Sequence, residues 1–138
     1  LVDIQKAFDT LWRDALWHKL LQQGHNKSSV AWLKSFYNKL ITAVRAGDGI
    51  SEYVHLLHGI GQGDPNSTKF YGAFLSDLPS FLGGGVQVCG VLITALLFLD
   101  DIAVPCSSQA QVRNKLRKLS DYGRRWRITY NLEKSVVL

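Results

Sequence analysis

Two adjacent carboxylates, Asp100 and Asp101, end the longest apolar run of the sequence, which covers residues 91–99. Carboxylates beside an apolar run are costly unless they lie in a turn and meet cations. Aspartate also favours ordinary surface β-turns, so a plain turn remains an alternative at this point. The pair by itself therefore predicts either a surface turn or a cation site.

Asp3 favours the cation site, because it also follows the start of an apolar strand. If the strand over residues 1–4 lies beside the strand pair that meets at Asp100, the carboxylates of Asp3 and Asp100 converge. Hard divalent cations such as Mg²⁺ prefer carboxylate oxygens and keep open positions for phosphates. Two such ions, about 3.5–4 Å apart, can activate a hydroxyl nucleophile and stabilise a leaving pyrophosphate. The predicted chemistry is two-metal nucleotidyl transfer.

Four segments resemble motifs of the reverse transcriptases of non-LTR (LINE-type) retrotransposons. Residues 3–9, Asp-Ile-Gln-Lys-Ala-Phe-Asp, resemble the pattern in which a catalytic aspartate precedes "KAFD". Residues 59–68 resemble the glycine–glutamine loop "GVRQGDPLSP", and residues 98–101 resemble the "FADD" box. Residues 131–135, Asn-Leu-Glu-Lys-Ser, resemble the "N..KS" segment that follows. The four motifs occur in the family's order and cover essentially the whole chain.

This resemblance implies a catalytic set and a metal set. Asp3 and Asp100 would be the principal ligands of two Mg²⁺ (or Mn²⁺) ions, and Ile4 would add its backbone carbonyl. Asp101 would be an auxiliary carboxylate at the primer end. The implied reaction is attack of a primer 3′-hydroxyl on the α-phosphate of a dNTP, directed by an RNA template.

The resemblance also implies a pocket for the incoming nucleotide. Phe8 would exclude a ribose 2′-hydroxyl, although an aromatic residue here also suits the protein core. Gln62 and Gly63 would lie under the nucleotide, where the glycine permits close approach of the backbone, and Lys134 would lie near the departing pyrophosphate. The implied nucleotide-binding residues are Ile4, Lys6, Ala7, Phe8, Gln62, Gly63 and Lys134.

A few positions depart from the family pattern. Gly61 stands where the family usually has arginine, Asn66 where it has an apolar residue, and Thr68 where it has proline. Leu99 replaces the alanine of the aspartate box and adds bulk there. None of these changes affects the three aspartates.

Basic charge is concentrated between residues 107 and 127, which hold seven of the chain's 16 lysines and arginines and one acidic residue. The net charge of +5 makes an anionic partner plausible. One interpretation is a solvated helix face. The other is sequence-independent contact with a nucleic-acid backbone, through Arg113, Arg117, Arg124 and Arg125.

The pattern of apolar residues predicts an α+β fold, with helices packed on one face of an antiparallel sheet. The predicted order is a strand, two helices, a hairpin around residues 47–49, a helix, a second hairpin, a helix and a final strand. The third helix is expected to run from Asp64, as N-cap, and Pro65 to about Leu78. In the fourth helix, Leu116 is among the residues expected to face inward.

We expect residues 1–138 to form one polymerase palm domain that lacks fingers and thumb. The expected partners are an RNA template, a DNA primer and dNTP, with fingers and thumb segments or another protein as further partners. The expected location is intracellular, in nucleus or cytoplasm, and the apolar runs are too short to predict contact with a membrane. The alternative is a catalytically inactive, domesticated retroelement fragment that acts as a binding or effector protein.

Overall fold

The computed structural model describes residues 1–61 and 63–138 and has an α+β architecture, as predicted. Its helices are α1 (Ala7–Thr10), α2 (Arg13–Gln22), α3 (Lys27–Asn38), α4 (Ser67–Leu75), α5 (Leu78–Leu82) and α6 (Gln109–Trp126). Its strands are β1 (Val2–Ile4), β2 (Ile41–Thr42), β3 (Arg45–Ala46), β4 (Gly49–Ile50), β5 (Val54–His55), β6 (Val86–Val88), β7 (Val91–Ile93), β8 (Leu96–Phe98), β9 (Asp101–Ala103) and β10 (Tyr130–Asn131).

The central sheet has four antiparallel strands in the order β10-β1-β9-β8. Side chains alternate between the two faces of a strand. Ile4 of β1 and Ile102 of β9 are buried in the core, whereas Asp3 is half-buried and Asp101 is exposed. One face of the sheet therefore packs on the helices, and the other presents carboxylates.

Three smaller antiparallel pairs, β2–β5, β3–β4 and β6–β7, lie outside this sheet. The predicted hairpin around residues 47–49 is confirmed, because Ala46 pairs with Gly49 across a two-residue loop. Gly47 has a positive φ of 58°, the conformation that such a tight turn requires at its first central residue. The strands predicted as two long runs form two short ladders instead.

Polar caps and apolar faces explain where the longer helices form. The side chain of Asn26 accepts hydrogen bonds from the first amides of α3, and Ser108 does the same for α6. Helix α6 ends at Arg127, which adopts the left-handed conformation common at helix C-termini. Its buried residues include Leu119 and Tyr122, which join the core beneath the sheet.

The predicted third helix is divided into two. Helix α4 begins at Ser67, two residues after Pro65, because the carboxylate of Asp64 already accepts the amide of Asn66 in a local turn. The helix does not continue unbroken to Leu78, because Pro79 has no backbone amide to donate to the carbonyl of Leu75.

Two further expectations for the helical core and the chain end need correction. Leu116 was expected to face inward, but 46% of its side chain is exposed, and Lys115 is the buried residue at that turn. The final strand was expected within residues 128–138 but covers only Tyr130 and Asn131. Among the described residues, no helix is both long and apolar enough to cross a membrane.

The helices are joined by the ammonium group of Lys19, whose side chain is only 2% exposed. Its Nζ donates to the carbonyl of Phe74 at 2.6 Å, to Asp77 Oδ1 at 2.5 Å and to the hydroxyl of Tyr122 at 2.6 Å. The same nitrogen lies 4.1 Å from the ring centroid of Trp126. All its donors are satisfied, and the aromatic rings add cation–π attraction. Lys19 thus connects α2, α4, α6 and the start of α5.

We predict that Lys19→Ala lowers the free energy of unfolding by about 3 kcal/mol, because it removes the buried cation that binds the Phe74 carbonyl, Asp77 and Tyr122. Lys19→Met keeps the apolar stem and should cost less. The control is Lys34→Ala, since the Lys34–Asp14 pair lies on the surface and should contribute no more than about 0.5 kcal/mol. Urea unfolding measures all three. Equal losses for Lys19→Ala and Lys34→Ala would contradict this role of Lys19.

Candidate active site

Asp3 occupies the middle of β1, between two neighbouring strands. It pairs with Asp101 of β9 on one side and with Asn131 of β10 on the other. Residues directly opposite in an antiparallel pair have Cβ atoms about 4.5–5.5 Å apart and share a face of the sheet. Two like charges held this way repel each other, so this face is suited to a cation.

Asp100 lies in the two-residue turn that joins β8 to β9. The preceding residue, Leu99, has a positive φ of 54°, which a leucine rarely adopts. The backbone amide of Ile4 donates to the carbonyl of Asp100 at 3.1 Å and holds this turn against β1. The residue directly opposite Asp3 is nevertheless Asp101, with Asp100 one position earlier in the turn.

The donors on this face have the chemistry that Mg²⁺ or Mn²⁺ prefers, although they do not enclose an ion by themselves. Within residues 1–61 and 63–138, no group of three or more His, Cys, Asp or Glu side chains could hold a metal ion. Mg²⁺ is usually held by one or two carboxylates, with water and substrate phosphates completing its coordination. The cross-strand pair of Asp3 and Asp101, with Asp100 beside it, fits that requirement.

Phe8 lies on α1 and is half-buried. Its ring packs against that of Tyr71, with centroids 5.3 Å apart. Tyr71 is 1% exposed, and its hydroxyl has no hydrogen-bond partner among the described residues. Burial raises the pKa of Tyr71 above its ordinary value, and the negative charge of Asp100 raises it further. The ring of Phe8 therefore packs on a buried tyrosine whose pKa is raised in part by the charge of Asp100.

The glycine-rich loop is attached to the same α1 segment. The amide of Ile60 donates to the carbonyl of Phe8 at 2.8 Å, and the amide of Gly59 donates to the carbonyl of Leu11 at 3.0 Å. Gly63 has a positive φ of 87°, and nothing lies within 4 Å of the position where its Cβ would be. The predicted role of Gln62 concerns a residue that lies outside the described part of the chain.

The segment over residues 131–135 borders the carboxylates on the β10 side. The hydroxyl of Ser135 accepts from the amide of Asp3 at 3.2 Å and donates to the carbonyl of Asn131 at 2.6 Å. Lys134 follows β10, is exposed and has an amide that donates to the side chain of Asn131. Ile4 is buried and Lys6 is exposed, with a positive φ of 49° at the start of α1. The sheet thus brings three of the four motifs into contact.

The basic residues of α6 divide into an exposed and a buried group. Arg113, Arg117 and Arg124 recur at helical spacing on one exposed side, and Arg125 is exposed beside them. Arg124 forms an ion pair with Asp121. By contrast, Lys115 is buried and donates to backbone carbonyls, so it is not part of the exposed charge. All four arginines proposed from the sequence are exposed.

Sequence reasoning missed two residues that organise the glycine-rich loop, Arg13 and Tyr37. The buried guanidinium of Arg13 donates to the carbonyl of Gly59, and the hydroxyl of Tyr37 donates to Asp64 Oδ2 at 3.0 Å. Burial and the neighbouring Asp64 carboxylate raise the pKa of Tyr37 to about 12. One signal for Arg13 was available in the sequence. A cation in the first turn of a helix is unfavourable to the helix dipole, which indicates that other contacts stabilise it there.

Comparisons with known proteins agree with these observations. A family model described as reverse transcriptase (RNA-dependent DNA polymerase) matches residues 1–138. Two similar sequences come from Popillia japonica, and each is described as a retrovirus-related Pol polyprotein from type-1 retrotransposable element R2. One is 26% identical over 137 residues, which cover 96% of this chain and 23% of the relative. The other is 24% identical over 140 residues, which cover 98% and 20%. The chain therefore spans about a fifth of the length of these relatives.

We predict opposite outcomes for alanine at two glycines of the loop. A Cβ at Gly59 would lie 2.5 Å from the carbonyl oxygens of Phe8 and Asp9, at a residue with φ +73°. Gly59→Ala should therefore lower the free energy of unfolding by about 2–4 kcal/mol.

Gly61 is the matched control, because a Cβ there would meet nothing within 4 Å. Gly61→Ala should leave stability unchanged or raise it by up to about 1 kcal/mol, through a less flexible unfolded chain. Thermal and urea unfolding measure both variants. Equal free energies of unfolding for Gly59→Ala and Gly61→Ala would show that Gly59 is not packed tightly against the backbone of α1.

Proposed function

Since the chain belongs to the reverse transcriptase (RNA-dependent DNA polymerase) family, we propose that it is the palm portion of a non-LTR retrotransposon polymerase. The reaction is transfer of a nucleotidyl group from dNTP to a primer 3′-hydroxyl, directed by an RNA template. The 3′-oxygen forms a bond to the α-phosphate, and pyrophosphate leaves. The family match over residues 1–138 supports this proposal, and so does the carboxylate face of the sheet.

The observation that carries the proposal is the register that sets Asp3 opposite Asp101, with the turn carrying Asp100 bonded to Ile4. In our proposal Asp3 and Asp100 bind two Mg²⁺ (or Mn²⁺) ions, with the carbonyl of Ile4 as a further ligand. Asp101 acts at the primer end. The ions, when bound, would lower the pKa of the attacking hydroxyl and stabilise the charge of the leaving pyrophosphate.

We assign the nucleotide to the space between α1, the glycine-rich loop and residues 131–135. The backbone of Lys6 and Ala7 approaches the triphosphate, and the ring of Phe8 excludes a 2′-hydroxyl. The packing of Phe8 on Tyr71 supports this assignment, because steric exclusion needs a ring that is held in one position. The remaining assigned residues are Gln62 and Gly63 under the nucleotide and Lys134 at the pyrophosphate.

We assign contact with the primer and template backbone to the exposed arginines of α6. A stripe of guanidinium groups on one side of a helix suits phosphate oxygens and carries no sequence preference. Arg113, Arg117 and Arg125 have no acidic partner within the described residues that would compete for them. Action on nucleic acid places the chain in the nucleus or cytoplasm in this proposal.

The metal proposal predicts that Mn²⁺ raises the thermal unfolding temperature of the wild-type chain. Asp100→Asn should reduce that increase, because it removes a charged ligand while preserving the shape of the side chain. Asp48→Asn, in the exposed β3–β4 turn, is the control and should respond to Mn²⁺ as the wild type does. An equal response of Asp100→Asn and Asp48→Asn would remove Asp100 from the site.

For the 138-residue chain by itself, we predict salt-dependent binding to RNA and DNA without templated synthesis. Orienting the reactants can supply about 7–11 kcal/mol of a barrier reduction, and the chain covers only 23% of one relative's length. Arg113→Gln with Arg117→Gln should weaken binding and flatten its dependence on salt.

Primer extension and salt-titrated binding on one preparation test this prediction. Extension that is lost in Asp100→Asn would show that the palm suffices for synthesis. Absence of both binding and extension would contradict the polymerase proposal and favour the domesticated fragment with another role.

A further inference from the structure

The guanidinium of Arg13 is a buried cation that the proposed reaction does not use. Its residue is 6% exposed and begins α2. Burial lowers the pKa of Arg13, and in the described part of the chain no carboxylate forms an ion pair with it. A buried charge without a counter-ion is costly. The start of a helix is also the unfavourable end for a cation. This position therefore needs an explanation from its contacts.

Backbone carbonyls take the place of a counter-ion. The Nε of Arg13 donates to the carbonyl of Gly59 at 2.5 Å, and its terminal nitrogens donate to those of Leu56 at 2.7 Å and His58 at 3.1 Å. A fourth bond, 2.8 Å long, reaches the carbonyl of Tyr37 at the end of α3. The planar fork of arginine can satisfy acceptors in these separate directions at once, which the point charge of lysine cannot do.

These contacts govern how the glycine-rich loop meets Phe8. Gly59 is bonded to Arg13 through its carbonyl and to Leu11 through its amide, and Ile60 donates to the carbonyl of Phe8. The backbone of Gly59 packs closely against α1, because a Cβ at Gly59 would collide with the carbonyl of Phe8. A shift of the Gly59 carbonyl would therefore move the backbone of Phe8.

Tyr37 extends the same network to the far side of the loop. Its carbonyl accepts from Arg13, and its hydroxyl donates to the carboxylate of Asp64 at 3.0 Å. Ser67 then donates to the carbonyl of Gly61 at 2.6 Å. Arg13 and Tyr37 thus hold the backbone on both sides of the loop's centre.

We propose that Arg13 is a positioning residue for the nucleotide pocket, which fixes the glycine-rich loop against Phe8 and so sets the preference for deoxyribose over ribose. This inference rests on the proposed function, because it assigns a sugar-selecting role to Phe8. Tyr37 is its second anchor. Neither side chain is assigned a contact with the nucleotide, and both act through the loop residues that they bond directly, Gly59 and Asp64.

The test compares the wild-type chain with Arg13→Lys and Tyr37→Phe, and uses Lys34→Ala as a surface control. The first readout is hydrogen exchange at the amides of Gly59 and Ile60, with the amide of Leu119 in α6 as reference. Arg13→Lys keeps the charge but loses most of the carbonyl contacts, so exchange should become faster at the loop and remain unchanged at Leu119.

The second readout is the ratio of dissociation constants for CTP and dCTP with Mg²⁺, measured by ligand-detected NMR. We expect the wild type and Lys34→Ala to prefer dCTP, and Arg13→Lys to lose that preference several-fold. Tyr37→Phe removes the hydroxyl contacts with Asp64 and Ser67 but keeps the bond from Arg13 to the Tyr37 carbonyl. It should show a smaller loss, and it serves as the test if Arg13→Lys does not fold. A structural role alone would weaken both nucleotides equally and leave the ratio unchanged.

The outcomes separate this inference from the proposed function. An unchanged CTP-to-dCTP ratio in both variants, or unchanged exchange at Gly59 and Ile60, would overturn the positioning role and leave the polymerase proposal intact. A wild-type chain that does not distinguish the two nucleotides would overturn the sugar-selecting role of Phe8 and the inference with it. Faster exchange together with a reduced ratio supports the role of Arg13.

Discussion

The pairing of β1 with β9 is the constraint on which the rest of the structure depends. Because side chains alternate along a strand, the register that buries Ile4 and Ile102 must place Asp3 and Asp101 together on the opposite face. A slip of β1 by one residue would turn Asp3 toward the core and expose Ile4. Hydrophobic burial by the helices therefore holds the acidic groups together despite their repulsion, and the stability of the core keeps the carboxylate face in place.

Features that depend on short segments could be predicted from the sequence, whereas contacts between distant residues could not. The family assignment, the α+β class and the Gly47–Asp48 hairpin follow from short segments, and they are confirmed. The register opposite Asp3 joins residues far apart in the chain, so the motifs could not tell Asp100 from Asp101 as its neighbour. The partners of Arg13 could not be predicted for the same reason, since they are backbone carbonyls of distant residues, and the only signal in the sequence was its unfavourable place in the first turn of a helix. The metal, nucleotide and nucleic-acid roles of the site residues stay predictions.

Two of the residues that depart from the family motifs, Leu99 and Gly61, lie in backbone turns held by hydrogen bonds. Leu99 takes up a positive φ in the β8–β9 turn, and the hydrogen bond between Ile4 and Asp100 holds that turn in place. Gly61 stands where the family usually has arginine, and its carbonyl accepts the hydroxyl of Ser67. Both changes leave the backbone contacts of the carboxylate face and the loop in place.

The ammonium group of Lys19 has a consequence for the order in which the chain can fold. Its bond to Tyr122 joins residues 103 positions apart, and Trp126 completes the aromatic surroundings. During synthesis, α2 emerges long before these partners, so Lys19 must remain hydrated until α6 has been made. Contacts of such large sequence separation are slow to form, because the intervening loop must close first. Helix α2 can pack on α3 and α4 before α6 is made, but Phe74 and the stem of Lys19 stay uncovered until Trp126 reaches them.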